Sequence, residues 1–426
     1  MRQKNVASVG LLALGICVSL MAQHKRPITP ADCVTVRYLK SEPSNQPSPL
    51  TVSPDGGYLA YLVKTPNLVT NENDIELYVK VVSHASASDE RPVAVGDLSS
   101  LHWLGDSRSV TVLANEHETH TVKAIDVETG KSEVLLKSPD NIDEYVVDRS
   151  GHEIVFVVTT PPSGIQLPIT ERDTATGYRI PFRSLTTTGW PVKRIFVTRR
   201  RHNEWTKPEQ ITIESPLDHK RMSSFIGYDP TLWLSLSPNG EQLSLQYVDP
   251  ADAMPARWRQ SPFVQYENSI KTQRGQMVSV IYHLATGITT APFETPFATA
   301  IPLWSSDSRS FVVFAKPPVD SKWEQQEAEL GPSIVRHGHT ADLFWVQPES
   351  GNVELVATHG QAPYPYAPPL YWNTDGSLLV GSQDGTITRF SPKDGHWEQG
   401  NSVKVPVNGL GRLTSDGTHV FGDMQS

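Results

Sequence analysis

Cysteine is almost missing from this chain: 426 residues carry two, Cys17 and Cys33. Cys17 falls in the leader described below, which leaves Cys33 alone in the mature chain. No internal disulfide can then form, so stability must come from packing. An excess of positive charge is missing as well. Lys and Arg total 37 against 46 Asp and Glu, a formal charge of −9, which gives no electrostatic footprint for nucleic acid. Long apolar runs are scarce. Val6–Met21 is the one of note, following Arg2 and Lys4 and ending before Ala22. It is short for a membrane span, and residues 1–22 read as a secretory signal peptide whose removal makes the formal charge about −11. Lipidation at Cys17 is disfavoured because Ile16 stands where a lipid-attachment site needs a small residue. The expectation is an exported protein, periplasmic or secreted, with no stable membrane span after cleavage.

What is present points to a loop-rich β protein: 34 prolines, 28 glycines and ten tryptophans against six methionines. The organising unit is Leu50-Thr51-Val52-Ser53-Pro54-Asp55-Gly56, followed by the strand-like run Tyr58–Val63. Pro54 presets φ at the first corner, Asp55 bonds its own backbone, and Gly56 takes the left-handed conformation, so the stretch reads as a β-hairpin. Imperfect copies end at Arg108, Gly151, Gly240, Arg309, Gly376 and Gly417. A second turn signal, Asp126-Val127-Glu128-Thr129-Gly130, recurs as Thr286-Gly287, Ser350-Gly351 and Asp394-Gly395. Two interleaved turns per period define a four-stranded meander, the blade of a propeller.

The fold expected is therefore all-β: a β-propeller of about seven four-stranded blades, the last incomplete. Residues 23–48 form an extended lead-in and 49–426 the propeller, with blades near 49–98, 99–137, 140–213, 228–293, 299–357, 365–400 and 407–426. Long steps between turns place insertions at 161–191, 249–276 and 317–340, which project from one face because a blade core cannot absorb them. The last blade has room for two strands only. Val34, Val36 and Tyr38 alternate, offering residues 33–39 as a strand that closes the ring; the other route is a partner or a further segment.

The lead-in Pro27-Ile28-Thr29-Pro30-Ala31-Asp32-Cys33, the turn Ser53–Gly56, Tyr61–Leu68, Asn71–Asp74 before Leu77-Tyr78-Val79, and Gly177–Phe182 together resemble exported bacterial serine peptidases of the prolyl oligopeptidase and dipeptidyl peptidase IV (S9) class. The resemblance covers about residues 27–420 and only the N-terminal half of such enzymes, a propeller of TolB-like repeats. It implies a substrate-gating module partnered with an α/β-hydrolase. The hydrolase needs Gly-x-Ser-x-Gly at a strained strand-to-helix turn, and that pentapeptide does not occur in this sequence. The expectation is a non-catalytic module, with no catalytic residue, metal or cofactor assigned. Its partner would be a separately encoded serine hydrolase or a peptide or protein ligand; the alternative is a stand-alone TolB-like periplasmic scaffold.

Four clusters invite a functional reading. Glu324, Glu327 and Glu329 lie on a short helical pattern in the third insertion. In the dipeptidyl peptidase branch, acidic residues on such an insertion hold the substrate's amine, so these three are the candidate binding residues, against the reading of a solvated acidic helix. His117/His120 and His337/His339 lack the i, i+4 spacing of a zinc helix and read as solvated surface histidines. Arg199-Arg200-Arg201-His202 reads as a solvated hairpin end.

Overall fold

The computed structural model describes residues 36–40, 50–67, 69–70, 72–82, 92–116, 119–138, 140–160, 192–225, 232–249, 276–293, 301–315, 342–358, 370–373, 375–381, 385–404, 410–413 and 420–422. Among them every regular element is a β-strand, and every strand pair is antiparallel. Sheet one contains Leu50–Val52, Tyr58–Asn67, Glu72–Val81 and Ala94–Gly96 in that order, and sheet two contains Leu98–Trp103, Ser109–Glu116, Thr119–Asp126 and Ser132–Ser138. Sheet three runs Ile142–Val147, Glu153–Thr160, Val192–Arg201, with Glu204–Trp205 and Glu209–Gln210 sharing its fourth position. A small hairpin, Ile213–Glu214 with Arg221–Met222, follows it. Sheets four, five and six are Trp233–Leu236, Gln242–Asp249, Gln276–His283, Thr289–Thr290; Leu303–Trp304, Phe311–Ala315, Asp342–Gln347, Asn352–Ala357; and Leu370–Trp372, Leu378–Gly381, Thr386–Lys393, His396–Lys404. Leu410–Leu413 pairs with Val420–Gly422 as a two-stranded seventh sheet.

Strand periodicity shows why the sheets stack. In Glu153–Thr160, Ile154, Phe156 and Val158 face a cluster shared with sheet two, while Val155 and Val157 face a cluster shared with sheet four. Both faces are buried, so the strand is a continuous β-branched and aromatic run instead of an apolar–polar alternation. Each such side chain contributes on the order of 2 kcal/mol. Equivalent clusters join sheets one to two, four to five and five to six. The first strands of sheets one to four lie side by side in chain order, and Leu50–Val52 also lies against Leu410–Leu413, which brings the seventh sheet round to the first. The fold is a β-propeller, with the first strand of each sheet innermost.

The sheets are also stitched by hydrogen bonds at recurring positions. The Trp that ends the first strand donates through Nε1 to a first-strand carbonyl of the preceding sheet: Trp103 to Thr51 (3.1 Å), Trp304 to Ser235 (3.4 Å) and Trp372 to Leu303 (3.1 Å). Tyr145 OH makes the equivalent bond to the Ser100 carbonyl, 2.8 Å. The first turns bond one to the next. Asp55 N–H donates to Ser107 Oγ, Gly105 N–H to Arg149 O, Arg149 N–H to Pro238 O and Asn239 N–H to Ser308 Oγ, at 2.7–3.0 Å.

Three expectations are corrected. Tyr38–Leu39 pairs with Val63–Lys64 of sheet one, not with the seventh sheet, because it continues the line of Leu50–Val52 along the same neighbour. In the second and fifth hairpins the left-handed residue is Ser107 (φ 55°) and Ser308 (φ 63°), one residue before the Arg at which the repeat pattern ends. Serine is strained there, but its Oγ is thereby placed to accept the bond from the preceding turn. The arginine run is a solvated hairpin end only from Arg201 on: Arg201 and His202 are exposed at the turn, whereas Arg199 pairs with Glu153 and donates to the Leu284 carbonyl of sheet four, and Arg200 pairs with Glu133 of sheet two.

Candidate functional site

The topology sorts the loops. Turns between first and second strands, and between third and fourth, lie at one end of every sheet, where the turn-to-turn bonds tie them down. Connections between second and third strands lie at the opposite end. Three of these, in the consecutive sheets three, four and five, are long: 161–191, 250–275 and 316–341. One face of the propeller is thus closely fastened and the other bears the insertions.

Glu324, Glu327 and Glu329 fall in the third insertion and, like His117, His337 and His339, lie outside the described residues. His120 is described and is half-buried, with Nδ1 closed off from solvent. What the structure does show at the loop-bearing end is a set of polar groups at the strand ends that flank the insertions.

At the root of the first insertion, Lys193 is 1% exposed and forms an ion pair with Asp143. Thr159 Oγ1 accepts from the same ammonium at 3.1 Å and donates to Asp143 at 2.9 Å. These three residues sit on the first, second and third strands of sheet three, so the pair staples the sheet where the chain departs. Phe225 adds to the anchor, exchanging both backbone bonds with Lys193.

At the root of the second insertion, Asp249 ends its strand fully buried. Its Oδ2 accepts from Ser215 Oγ at 2.5 Å and from Tyr247 OH at 3.3 Å. Burial, and then the neighbouring Asp249 carboxylate, push the Tyr247 phenol well above its ordinary range, so it stays protonated and donating. Ser215 spends its proton on a carboxylate and accepts backbone N–H bonds from Leu217 and Asp218. That geometry fixes the turn that follows Ser215.

Sheet one has no long insertion, and its polar cluster lies along the middle of the sheet, between the Tyr61/Tyr78 and Lys64/Ile75 pairs. A shallow depression of about 210 Å³ is lined by Arg37, Tyr38, Leu39, Tyr61, Val63 and Tyr78. Tyr61 and Tyr78 stack at 5.7 Å, and the Arg37 guanidinium lies 5.4 Å over the Tyr78 ring. Arg37 is held by Thr65 Oγ1 through Nε (3.2 Å), and by Glu76 (2.9 Å) and Tyr78 OH (2.5 Å) through Nη2. The Tyr78 hydroxyl is the first cause, ahead of Glu76, of a guanidinium pKa raised further above its ordinary value. Tyr38 and Leu39 are 47% and 39% exposed. Sequence reasoning missed this site, because its members come from three segments that only strand pairing brings together.

No family model and no curated protein matches the sequence. Solved structures are similar in fold. TolB from Acinetobacter baumannii is 13% identical, with a TM-score of 0.40 over 82% of this chain and 65% of its own. An acylaminoacyl peptidase from Pyrococcus horikoshii is 11% identical, with a TM-score of 0.46 over 83% of this chain and 45% of its own. The β-propeller domain of the Trilobed protease from Pyrococcus furiosus is 10% identical, with a TM-score of 0.43 over 83% and 82%. The chain thus spans less than half the length of that acylaminoacyl peptidase and under two thirds of TolB. Among the described residues no helix is long and apolar enough to cross a membrane.

Proposed function

We propose that the chain is an exported, non-catalytic β-propeller module that presents a binding face, in the manner of the substrate-gating N-terminal domain of S9-class serine peptidases. One observation carries the reading: three consecutive sheets emit their long insertions at the same end, while the opposite end is fastened turn to turn. The groups that resemble catalytic parts serve the frame. Ser215, Asp249 and Tyr247 close a turn, and His102 has its free nitrogen sealed from solvent. A separately encoded hydrolase, or a peptide or protein ligand, would meet the insertion-bearing face, where Glu324, Glu327 and Glu329 stand as candidates for an ammonium group. The alternative, a stand-alone TolB-like periplasmic scaffold, uses the same face without a hydrolase.

The test is a fluorophosphonate probe on the purified chain. No labelling above that of heat-denatured protein is expected, and stoichiometric labelling of one serine would sink the non-catalytic reading. Export is checked in the same preparation, since intact mass should begin at Gln23.

A further inference from the structure

We propose that the exposed Tyr38–Leu39 edge of sheet one captures an extended peptide by strand addition, taking an apolar ring in the depression and a carboxylate two residues away at Arg37. The inference goes beyond the reading of the insertion-bearing end, since this site lies along the middle of sheet one.

Backbone geometry comes first. Lys40 N–H donates to the Leu62 carbonyl, and Tyr38 and Leu39 lie opposite Lys64 and Val63. Antiparallel pairs alternate between bonded and non-bonded, so 38/64 and 40/62 are the bonded pairs and the Leu39 N–H and C=O point away from the sheet. They form an open pairing position at the edge, and such edges recruit extended chains.

Side-chain parity then fixes what that peptide must carry. Leu39 and Val63 are opposite each other, as are Tyr61 and Tyr78, and Val63 and Glu76, so Arg37, Leu39, Tyr61, Val63, Glu76 and Tyr78 share one face. It is the face turned away from sheet two, which takes Ala60, Leu62, Ile75 and Leu77. A peptide residue paired with Leu39 drops its side chain on that same face, into a hollow of about 210 Å³, the size of one ring-bearing group against two stacked tyrosines. The peptide residue two positions along faces Arg37. That guanidinium spends Nε and Nη2 on Thr65, Glu76 and Tyr78, which hold it rigid, and Nη1 has no partner among the described residues. A side chain 52% exposed yet fixed in this way is a preorganised donor for a carboxylate or a terminal carboxyl group.

The probe is acetyl-Glu-Thr-Phe-Thr-Glu-amide, whose symmetry serves either strand direction. Its controls carry Lys for both Glu, or Ala for Phe, and a fourth peptide, acetyl-Thr-Phe-Thr with a free carboxyl terminus, separates a terminal from a side-chain carboxylate. Calorimetric titration of the full chain should show the acidic phenylalanine probe binding about tenfold tighter than either control. Arg37→Gln should bring the Glu and Lys probes within about twofold of each other. Leu39→Pro removes the outward N–H together with one side chain of the depression and no bond within the sheet, so it should abolish binding while the thermal midpoint stays near wild type. Equal affinity for all probes, or undiminished binding by Leu39→Pro, overturns the proposal. Failure here with no fluorophosphonate labelling removes the peptide site alone, whereas labelling removes the non-catalytic reading and leaves the titration to be judged separately.

Discussion

Asp143→Ala should destabilise the protein by about 3–5 kcal/mol, because it leaves the Lys193 ammonium buried with a hydroxyl as its main remaining partner. The reverse truncation, Lys193→Met, should cost distinctly less. The Asp143 side chain is 34% exposed and can regain water, whereas that of Lys193 is 2% exposed and cannot. Urea unfolding of both variants and of the double variant measures the asymmetry. Equal costs for the two single changes would mean that the ammonium reaches solvent and that the root of the first insertion is looser than described. The result bears on function, since this pair fixes the strand ends from which the insertion leaves.

The second large effect is a loss of stability in acid traced to one histidine. His102 lies on the innermost strand of sheet two, its ring edge-on to Tyr145 at 4.9 Å, with Nε2 closed off and unpartnered. The residue as a whole is half-buried, but Nε2 is not wetted. Burial, only partly opposed by a bond to the Tyr145 backbone, brings its pKa down from 6.5 to about 4. The unfolded chain takes up a proton below pH 6.5 while the native state refuses it until about pH 4. Stability is therefore complete above pH 6.5, falls through that window and levels below it. At 1.36 kcal/mol per pH unit the loss is about 3 kcal/mol. His102→Asn keeps a donor for the Tyr145 carbonyl and cannot charge, so its stability should be flatter between pH 6.5 and 4 by that amount. Parallel slopes for variant and wild type would show that the ring titrates normally.

Much of the frame was legible in the sequence because turn chemistry is local. Gly56, Gly151, Gly240 and Gly376 all take positive φ in the expected hairpins, as do Gly130, Gly287, Gly351 and Gly395 in the second turn type. Local chemistry stops at the sheet boundary, and the misreadings begin there. Ser107 and Ser308 adopt left-handed backbones that their residue type does not favour, because each accepts a hydrogen bond from a turn 52 or 69 residues earlier. Arg199 looks like the tip of a solvated run until Glu153 and the Leu284 carbonyl are brought to it by pairing across two sheets. Tyr38 alternates as a strand should, but alternation does not say which sheet it joins. The depression around Arg37 was invisible for the same reason, since residues 37, 61 and 78 meet only through register. The acidic trio Glu324, Glu327 and Glu329 falls outside the described residues, and its role stays with the proposed binding face.

The central claim is that sheets one to five of the propeller are fastened turn to turn, with binding left to the other face. Native-state hydrogen exchange tests it most directly at the amides of Asp55, Gly105, Arg149 and Asn239. All four sit in turns, where an isolated hairpin would exchange almost freely, and all four donate to the neighbouring sheet. The account predicts protection at these four comparable to that of the strand amides, rising and falling together as denaturant is added. Free exchange at these positions, with protection confined to the strands, would mean separate hairpin sheets that do not close into a propeller, and would contradict it.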